Sequence, residues 1–500
     1  MNLVLFPILL PFFTALVVLL AGGRTTFARR LTCGSAVGQL VAGIALLART
    51  LRDGIQVVAV GGWPAPQGIV LVADALSALM VVLAAGTLLA GTAFGLWEMP
   101  RRLSHPLRLP LMQFLAVGIQ LSFLTGDLFN LFVAFEILLV ASYALLTLEA
   151  DDWDVKQAFP YLAMNAVGST LFFCAAGLTY GLLGTLNLAD MAQRAAMMPE
   201  DGRLMALALM LVGVFGLKAG LFPLYYWLPH SYPTLSTPVA GVFAGLLTKV
   251  GIYVLIRLLA TVLPHGMTGL HSLLAWVSAA TMLFGVLGAI SRNYIRGILS
   301  FHIVSQVAFM TLALGLFTPL SLTAAVFYIA HHIIVKASLF LIGGVAALLN
   351  RSDDLKRMGG LWREVPWLGV LFLAQSLSLA GVPPLSGFWG KYLIILEAMA
   401  LQEYLLVGVC LVASLLTLFS MLKIWQSAFW AAPDGVTVRR EDGRWRPLSW
   451  ICAGMTGVSL AIGLGAEPLF QIAKRAATMA MDQEGYLRAV FAASGKEGAR

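Results

Sequence analysis

One acid and four lysines stand inside long apolar runs of this sequence, where charge is expensive. Glu136 is central in LFNLFVAFEILLVASY and Lys218 lies in VFGLKAGLFP. Lys249 is central in GVFAGLLTKVGIYVLIR, and His331, His332 and Lys336 share FYIAHHIIVKASLF. Lys391 follows the break GVPPLSGFWGK, and His302 adds a sixth run, FHIVSQVAFM. His332 and Lys336, four residues apart, fall on one face of a helix. A lone Glu–Lys pair would read as a structural ion pair between packed helices. Four lysines cannot all pair with one acid, and an unpaired buried charge costs several kcal/mol. Lysine in such surroundings gives up its proton readily. A row of lysines and histidines at similar depth is therefore suited to passing protons, and ionisable residues at membrane depth are functional by default.

The elements that must position them are set by composition. The chain has 500 residues, 60% hydrophobic and 11% charged, against about 45–50% and about 25% in soluble domains. Surface-to-volume scaling does not explain the excess, because a larger soluble core still needs a charged exterior. A soluble enzyme, a nucleic-acid binder and a disordered chain are excluded, and an all-α integral membrane protein is expected. Apolar runs long enough to cross a hydrocarbon core of about 30 Å stand near 3–21, 31–49, 70–97, 107–125, 127–148, 158–183 and 204–226. Seven more follow near 236–260, 270–290, 297–317, 321–349, 367–398, 404–430 and 449–468. That predicts about 14 transmembrane helices, with the seventh and twelfth interrupted by prolines. Both broken runs carry one of the buried lysines, and irregular backbone at membrane depth is tolerated only inside protein or beside a wet cavity.

Loops after odd-numbered runs carry 17 Lys and Arg; the other side carries 5, with 5 more in the C-terminal tail. The positive-inside rule then places the odd loops in the cytoplasm and both termini outside. Arg24, Arg29 and Arg30 follow the first run, which reads as a retained anchor. The longest polar stretch, 431–448, is expected as a cytoplasmic loop, and 469–500 as a short surface helix. Lys423, near the cytoplasmic end of its run, is expected to snorkel. The net charge of +8 (32 Lys and Arg against 24 Asp and Glu) matters less here than this distribution. Cys33, Cys174, Cys410 and Cys452 all fall in apolar runs at no metal-ligand spacing and read as reduced core residues. Phosphate loops, H-E-x-x-H, nucleophile elbows and paired cysteines for iron–sulfur clusters are missing, so no cofactor or metal is expected.

Over nearly its whole length the sequence resembles the proton-pumping membrane subunits shared by respiratory complex I and the multisubunit Mrp-type cation/proton antiporters. The most specific stretch is 218–257, KAGLFPLYYWLPHSYPTLSTPVAGVFAGLLTKVGIYVLIR; FEILLVASY, HHIIVKASLF and GVPPLSGFWGK complete the pattern. The resemblance implies proton-path roles for Glu136, Lys218, Lys249 and Lys391. His332 and Lys336 join that path on their own residue pattern, with Asp74, His302 and His331 as secondary members. Asp74, in VADALSALM, matches a family acidic position, although the basic residue that often precedes it is absent (Val72, Ala73). Lys391, Tyr225, Tyr232, His302 and Gln306 depart from the complex I pattern and point to the antiporter's D-type branch.

The resemblance further implies two inverted five-helix repeats containing the broken helices. This divides the chain into a three-helix segment (1–106), a first repeat (107–260), a second repeat (270–430), and a loop, last helix and tail (431–500). The implied partners are the other antiporter subunits (A, B, C, E, F and G), protons, Na⁺ or K⁺ and the lipid bilayer, with no nucleic acid. A prokaryotic plasma membrane (the inner one where there are two) is the expected location. The implied activity is secondary transport, with protons entering as Na⁺ or K⁺ leaves. A proton-pumping subunit of an NADH:quinone oxidoreductase or a related membrane hydrogenase is the alternative.

Overall fold

Hydropathy settles most of the architecture, because each apolar run must satisfy its own backbone hydrogen bonds and does so as a helix. The computed structural model describes residues 2–22, 26–98, 105–148, 150–198, 202–431, 438–440 and 443–493. Arg24, parts of the 431–448 loop and the end of the tail lie outside them. Helices α1 (Phe6–Leu20) and α2 (Thr26–Asp53) precede an antiparallel pair of strands, β1 (Gln56–Ala59) and β2 (Val70–Ala73). Then come α3 (Ala75–Glu98), α4 (Arg108–Leu124), α5 (Leu128–Thr147) and α6 (Asp152–Leu183). A short α7 (Leu188–Ala196) leads to α8 (Gly202–Ala219), α9 (Trp227–Ser231) and α10 (Thr237–Ile256).

The second half holds α11 (Thr268–Ser291), α12 (Ile295–Leu316), α13 (Pro319–Asn350) and a one-turn α14 (Leu361–Glu364). It continues through α15 (Pro366–Ala380), α16 (Ser386–Ala400) and α17 (Tyr404–Ile424). Helices α18 (Trp445–Leu464), α19 (Ala466–Met481) and α20 (Gln483–Ala492) close the chain. Among the described residues, twelve helices are long and apolar enough to cross a membrane, and the shorter apolar α4 and α15 stand where two further runs were expected.

Helices α10, α12 and α13 are apolar on every side and accordingly buried on every side. Helix α13 is the central post, packed by α10, α12, α15, α16, α18 and α19. Helices α6 and α17 instead expose large apolar side chains such as Phe159, Phe173, Leu411 and Leu415, a surface suited to hydrocarbon.

Both interrupted runs break as expected, but not alike. Helix α8 stops at Gly220, and α15 at Gly381; both glycines adopt the left-handed conformation that a side chain would oppose. After the first break only the five-residue α9 follows, whereas α16 continues the second for fifteen residues. Lys218 thus lies before its break and Lys391 after its own.

Four details differ from the sequence reading. The 70–97 run is strand to Ala73 and helix only from Ala75, because the Asp74 carboxylate accepts from the Ser77 amide and caps α3. The tail forms two docked helices: α19 buries Ala473, Ala476, Ala477 and Ala480, a stripe of small residues that lets it lie close against α3 and α13. Lys423 does not merely snorkel; it donates to the carbonyls of Ile290 (3.2 Å) and Arg292 (2.7 Å) at the end of α11. Only Cys410 and Cys452 are core residues; Cys33 is half-buried and Cys174 exposed, and all four are free thiols.

Candidate functional site

Each lysine of the row reaches a neutral oxygen. Lys218, in the last turn of α8, donates weakly to α6 through the Asn165 carbonyl (3.3 Å), Asn165 Oδ1 (3.4 Å) and Ser169 Oγ (3.4 Å). Lys249 folds back along α10 onto the Ala244 carbonyl at 2.5 Å. Lys336 reaches across to α12 and the Leu299 carbonyl at 3.0 Å. Lys391 donates to the Ala380 carbonyl at the second break and to Ser414 Oγ on α17, both at 3.1 Å, with its ammonium 4.5 Å above the Phe309 ring. All four side chains are buried, and among the described residues none meets a carboxylate within ion-pair distance. A carbonyl or hydroxyl oxygen accepts from ammonium and amine alike, so these sites tolerate either protonation state.

Glu136 stands apart from the lysines. A contact pair with Lys218 is not formed: Oε1 is buried with no hydrogen-bond partner, and the two groups act on each other only at longer range. The helical register explains it. Lys218 extends toward α6 beside Phe135, whose ring centroid is 5.8 Å away, while Glu136 leaves α5 one residue, about 100°, further round.

The histidines fill the middle. His332 is buried with neither ring nitrogen partnered, and Lys249, Lys336 and Lys391 all lie close enough to act on it electrostatically. His331 Nδ1 meets Ser386 Oγ at 2.8 Å, and that hydroxyl also touches Ser378 Oγ (2.8 Å) and Ser459 Oγ (3.2 Å). His302 Nε2 meets Ser420 Oγ at 2.5 Å. Gln306 accepts from the Tyr328 hydroxyl and donates to Thr417 (3.2 Å), so it serves as a polar junction. Tyr232 is buried with its hydroxyl unpartnered. Unpartnered imidazole nitrogens at this depth are places for bridging water. Lys249 also acts on Lys336, and Lys391 on His302 and His331, so the second half forms one electrostatically coupled group.

Asp74 belongs to a different arrangement. Arg257 donates to both its oxygens at 2.7 and 2.9 Å, and also to Thr261 Oγ1 (3.3 Å) and the Tyr253 hydroxyl (3.2 Å). The Tyr253 and Tyr486 rings flank the guanidinium at 5.4 and 5.5 Å. Arginine keeps its charge, so this fully satisfied pair locks α3 to the end of α10 and to α20. Arg257 was not singled out in the sequence, where it stands near the end of the eighth run. Its only signal was the absence of any other cation near Asp74. The serines around His331 were equally silent, although Ser386 stands within the quoted GVPPLSGFWGK. Asp74→Asn leaves Arg257 buried without its counter-charge, which costs about 3–5 kcal/mol. The expected outcome is a marked fall in the melting temperature of the detergent-solubilised protein; an unchanged melting curve would mean the pair holds nothing together.

Among the described residues, no three His, Cys, Asp or Glu side chains come together as metal ligands.

The family described as NADH:quinone oxidoreductase/Mrp antiporter, TM, matches residues 125–417. The chain is 39% identical to the D-type subunit of the Na⁺/H⁺ antiporter of Alkalihalophilus pseudofirmus over 490 residues, covering 98% of this chain and 99% of that one. It superposes on a chain of the Mrp complex from Dietzia sp. with TM-score 0.91 and 32% identity, covering 98% and 99%. A chain of respiratory complex I from Thermus thermophilus shares the fold, with TM-score 0.80 at 22% identity over 96% of this chain and 99% of that one.

Proposed function

We propose that this chain, which belongs to the NADH:quinone oxidoreductase/Mrp antiporter transmembrane family, is the D-type subunit of a multisubunit cation/proton antiporter and carries the protons of the exchange. One observation carries the reading. Among the described residues, four buried lysines hydrogen-bond to neutral oxygens alone, while the buried Arg257, which cannot titrate, sits on the Asp74 carboxylate. A scaffold would pair its buried cations; a proton relay must leave them free to change charge.

In this reading Glu136 biases Lys218 from a distance. Lys249, His332 and Lys336 form the middle of the path, and Lys391 connects it to the outer face. His331 and His302 tune the second half through their hydroxyl partners, and Asp74 with Arg257 holds the end of the path in shape. Both termini face outward. Proton entry drives export of Na⁺ or K⁺, since one elementary charge crossing 100 mV releases about 2.3 kcal/mol. The remaining antiporter subunits complete the cation route, and the plasma membrane of a prokaryote is the site of action.

The test uses everted membrane vesicles from an antiporter-deficient host producing the complete set of subunits. Added Na⁺ or K⁺ should dissipate the imposed pH gradient. Lys249→Ala in an assembled complex should reduce that exchange by roughly 10²-fold, the usual worth of a positioned proton-transfer group. Wild-type exchange by the assembled Lys249→Ala complex would remove the relay.

A further inference from the structure

A cavity of about 360 Å³ opens at the end of the bundle where α11 begins, walled by α11, the close of α12 and the α16–α17 turn. Its polar groups are His265, Thr268, His271, Ser272 and Glu403. His271 is more than nine-tenths buried, yet its Nδ1 has no hydrogen-bond partner. Its ring stacks on Phe317, with centroids 3.9 Å apart and planes at 27°. Phe317, at φ 49°, is held in a left-handed conformation that a bulky residue rarely adopts, and this turns its ring under the imidazole. The ring of His271 is thus fixed at the cavity wall with one nitrogen waiting for a partner. A cavity of this volume with several polar groups holds water.

Two of the cavity's walls lead directly to Lys391. Gly315 lines the cavity, and Phe309, under the Lys391 ammonium, lies six residues further in along α12, roughly 9 Å. Leu406 lines it too, and Ser414, the hydroxyl partner of Lys391, lies eight residues further along α17, roughly 12 Å. Between them, Ser278 Oγ and Thr311 Oγ1 meet at 2.7 Å, each on a cavity-lining helix and inward of it. No described lysine or arginine lines the cavity; the titratable groups facing His271 are His265, whose Nε2 meets the Ala260 carbonyl at 2.7 Å, and Glu403.

We propose that this cavity is the water-filled outer port of the second half of the proton path, and that His271 is the group that exchanges protons between its water and the interior. This rests on the proton-carrying function proposed above. A hydronium ion in the cavity gives its proton to one ring nitrogen, the other nitrogen releases one inward, and the imidazole returns to neutral as its other tautomer, which a half-turn of the ring resets. The proton continues by hydroxyls and intervening water to the Lys391 amine.

The experiment separates proton exchange from ring stacking. In the complete complex, His271→Phe keeps a ring over Phe317 but cannot titrate, and His271→Glu titrates but cannot stack. The port requires that Phe lower exchange at least tenfold and that Glu retain a measurable part of it. Wild-type exchange with Phe, or Glu failing while Phe works, overturns the proposal. If both fail in assembled complexes, Ser272→Cys decides, since Ser272 is exposed at the cavity. A membrane-impermeant thiol reagent added to the outer face should then block exchange, and exchange left intact after that treatment overturns the port. Exchange missing from the wild-type complex would instead remove the antiporter function itself.

Discussion

Lys391→Arg is expected to stop cation/proton exchange about as completely as Lys391→Ala, a loss of roughly 10²-fold. The site gives arginine every reason to bind well. Its guanidinium can donate to the Ala380 carbonyl and Ser414 Oγ and lie over Phe309, as the ammonium does now. What it cannot do is release a proton. Lys391→Glu, carrying a different titratable group, should retain part of the activity. Pro383 and Pro384 break the helix just before this residue and free the Ala380 carbonyl from its usual partner, which is why a lysine one helix away can reach it. The measurement is pH-gradient dissipation on adding Na⁺ or K⁺ to everted vesicles containing the whole complex. Wild-type exchange with arginine would make Lys391 a fixed charge and send the proton out another way.

Glu136→Gln should be nearly as damaging, and by a different route. In direct contact, at ~4 Å and an effective dielectric of ~20, Glu136 and Lys218 would attract by about 4 kcal/mol. The pair is not in contact, and doubling the distance halves the attraction to about 2 kcal/mol. That remains more than a tenfold bias in an equilibrium. Such a pair is suited to a switch, because a movement of α5 or α8 that closes the gap doubles the coupling. The glutamine variant keeps shape and removes charge, so the complex should assemble and exchange should fall at least tenfold. Because Lys218 is held by Asn165 and Ser169 and not by Glu136, thermal stability should hardly change. A large loss of stability with activity spared would return Glu136 to a structural role.

Membrane architecture leaves a strong mark in sequence, since the hydrocarbon core fixes both the length and the composition of each crossing helix. The runs near 236–260, 297–317 and 321–349 became α10, α12 and α13 to within a few residues. Both proline-broken runs were equally visible, because proline and glycine act locally on the backbone. The candidate site was legible as a set of residues for the same reason: Glu136, Lys218, Lys249, Lys336 and Lys391 stand out as charges against apolar neighbours.

Partnership was not legible. Asp74 and Arg257 are 183 residues apart, and nothing local to either says that they meet. Nothing local to Lys218 says that its partners are Asn165 and Ser169 on α6 and not Glu136 on α5. The cavity at His271 is the extreme case. Its walls come from residues near 271, 316 and 403, none of which forms a motif on its own. Sequence alone determined which residues carry charge inside the membrane, because burial cost is a property of each residue and its immediate run. Tertiary structure alone decided which of those charges are paired, which are left on neutral oxygens and where water reaches them. Those properties depend on distances of a few ångströms between helices remote in sequence, and they are fixed by packing.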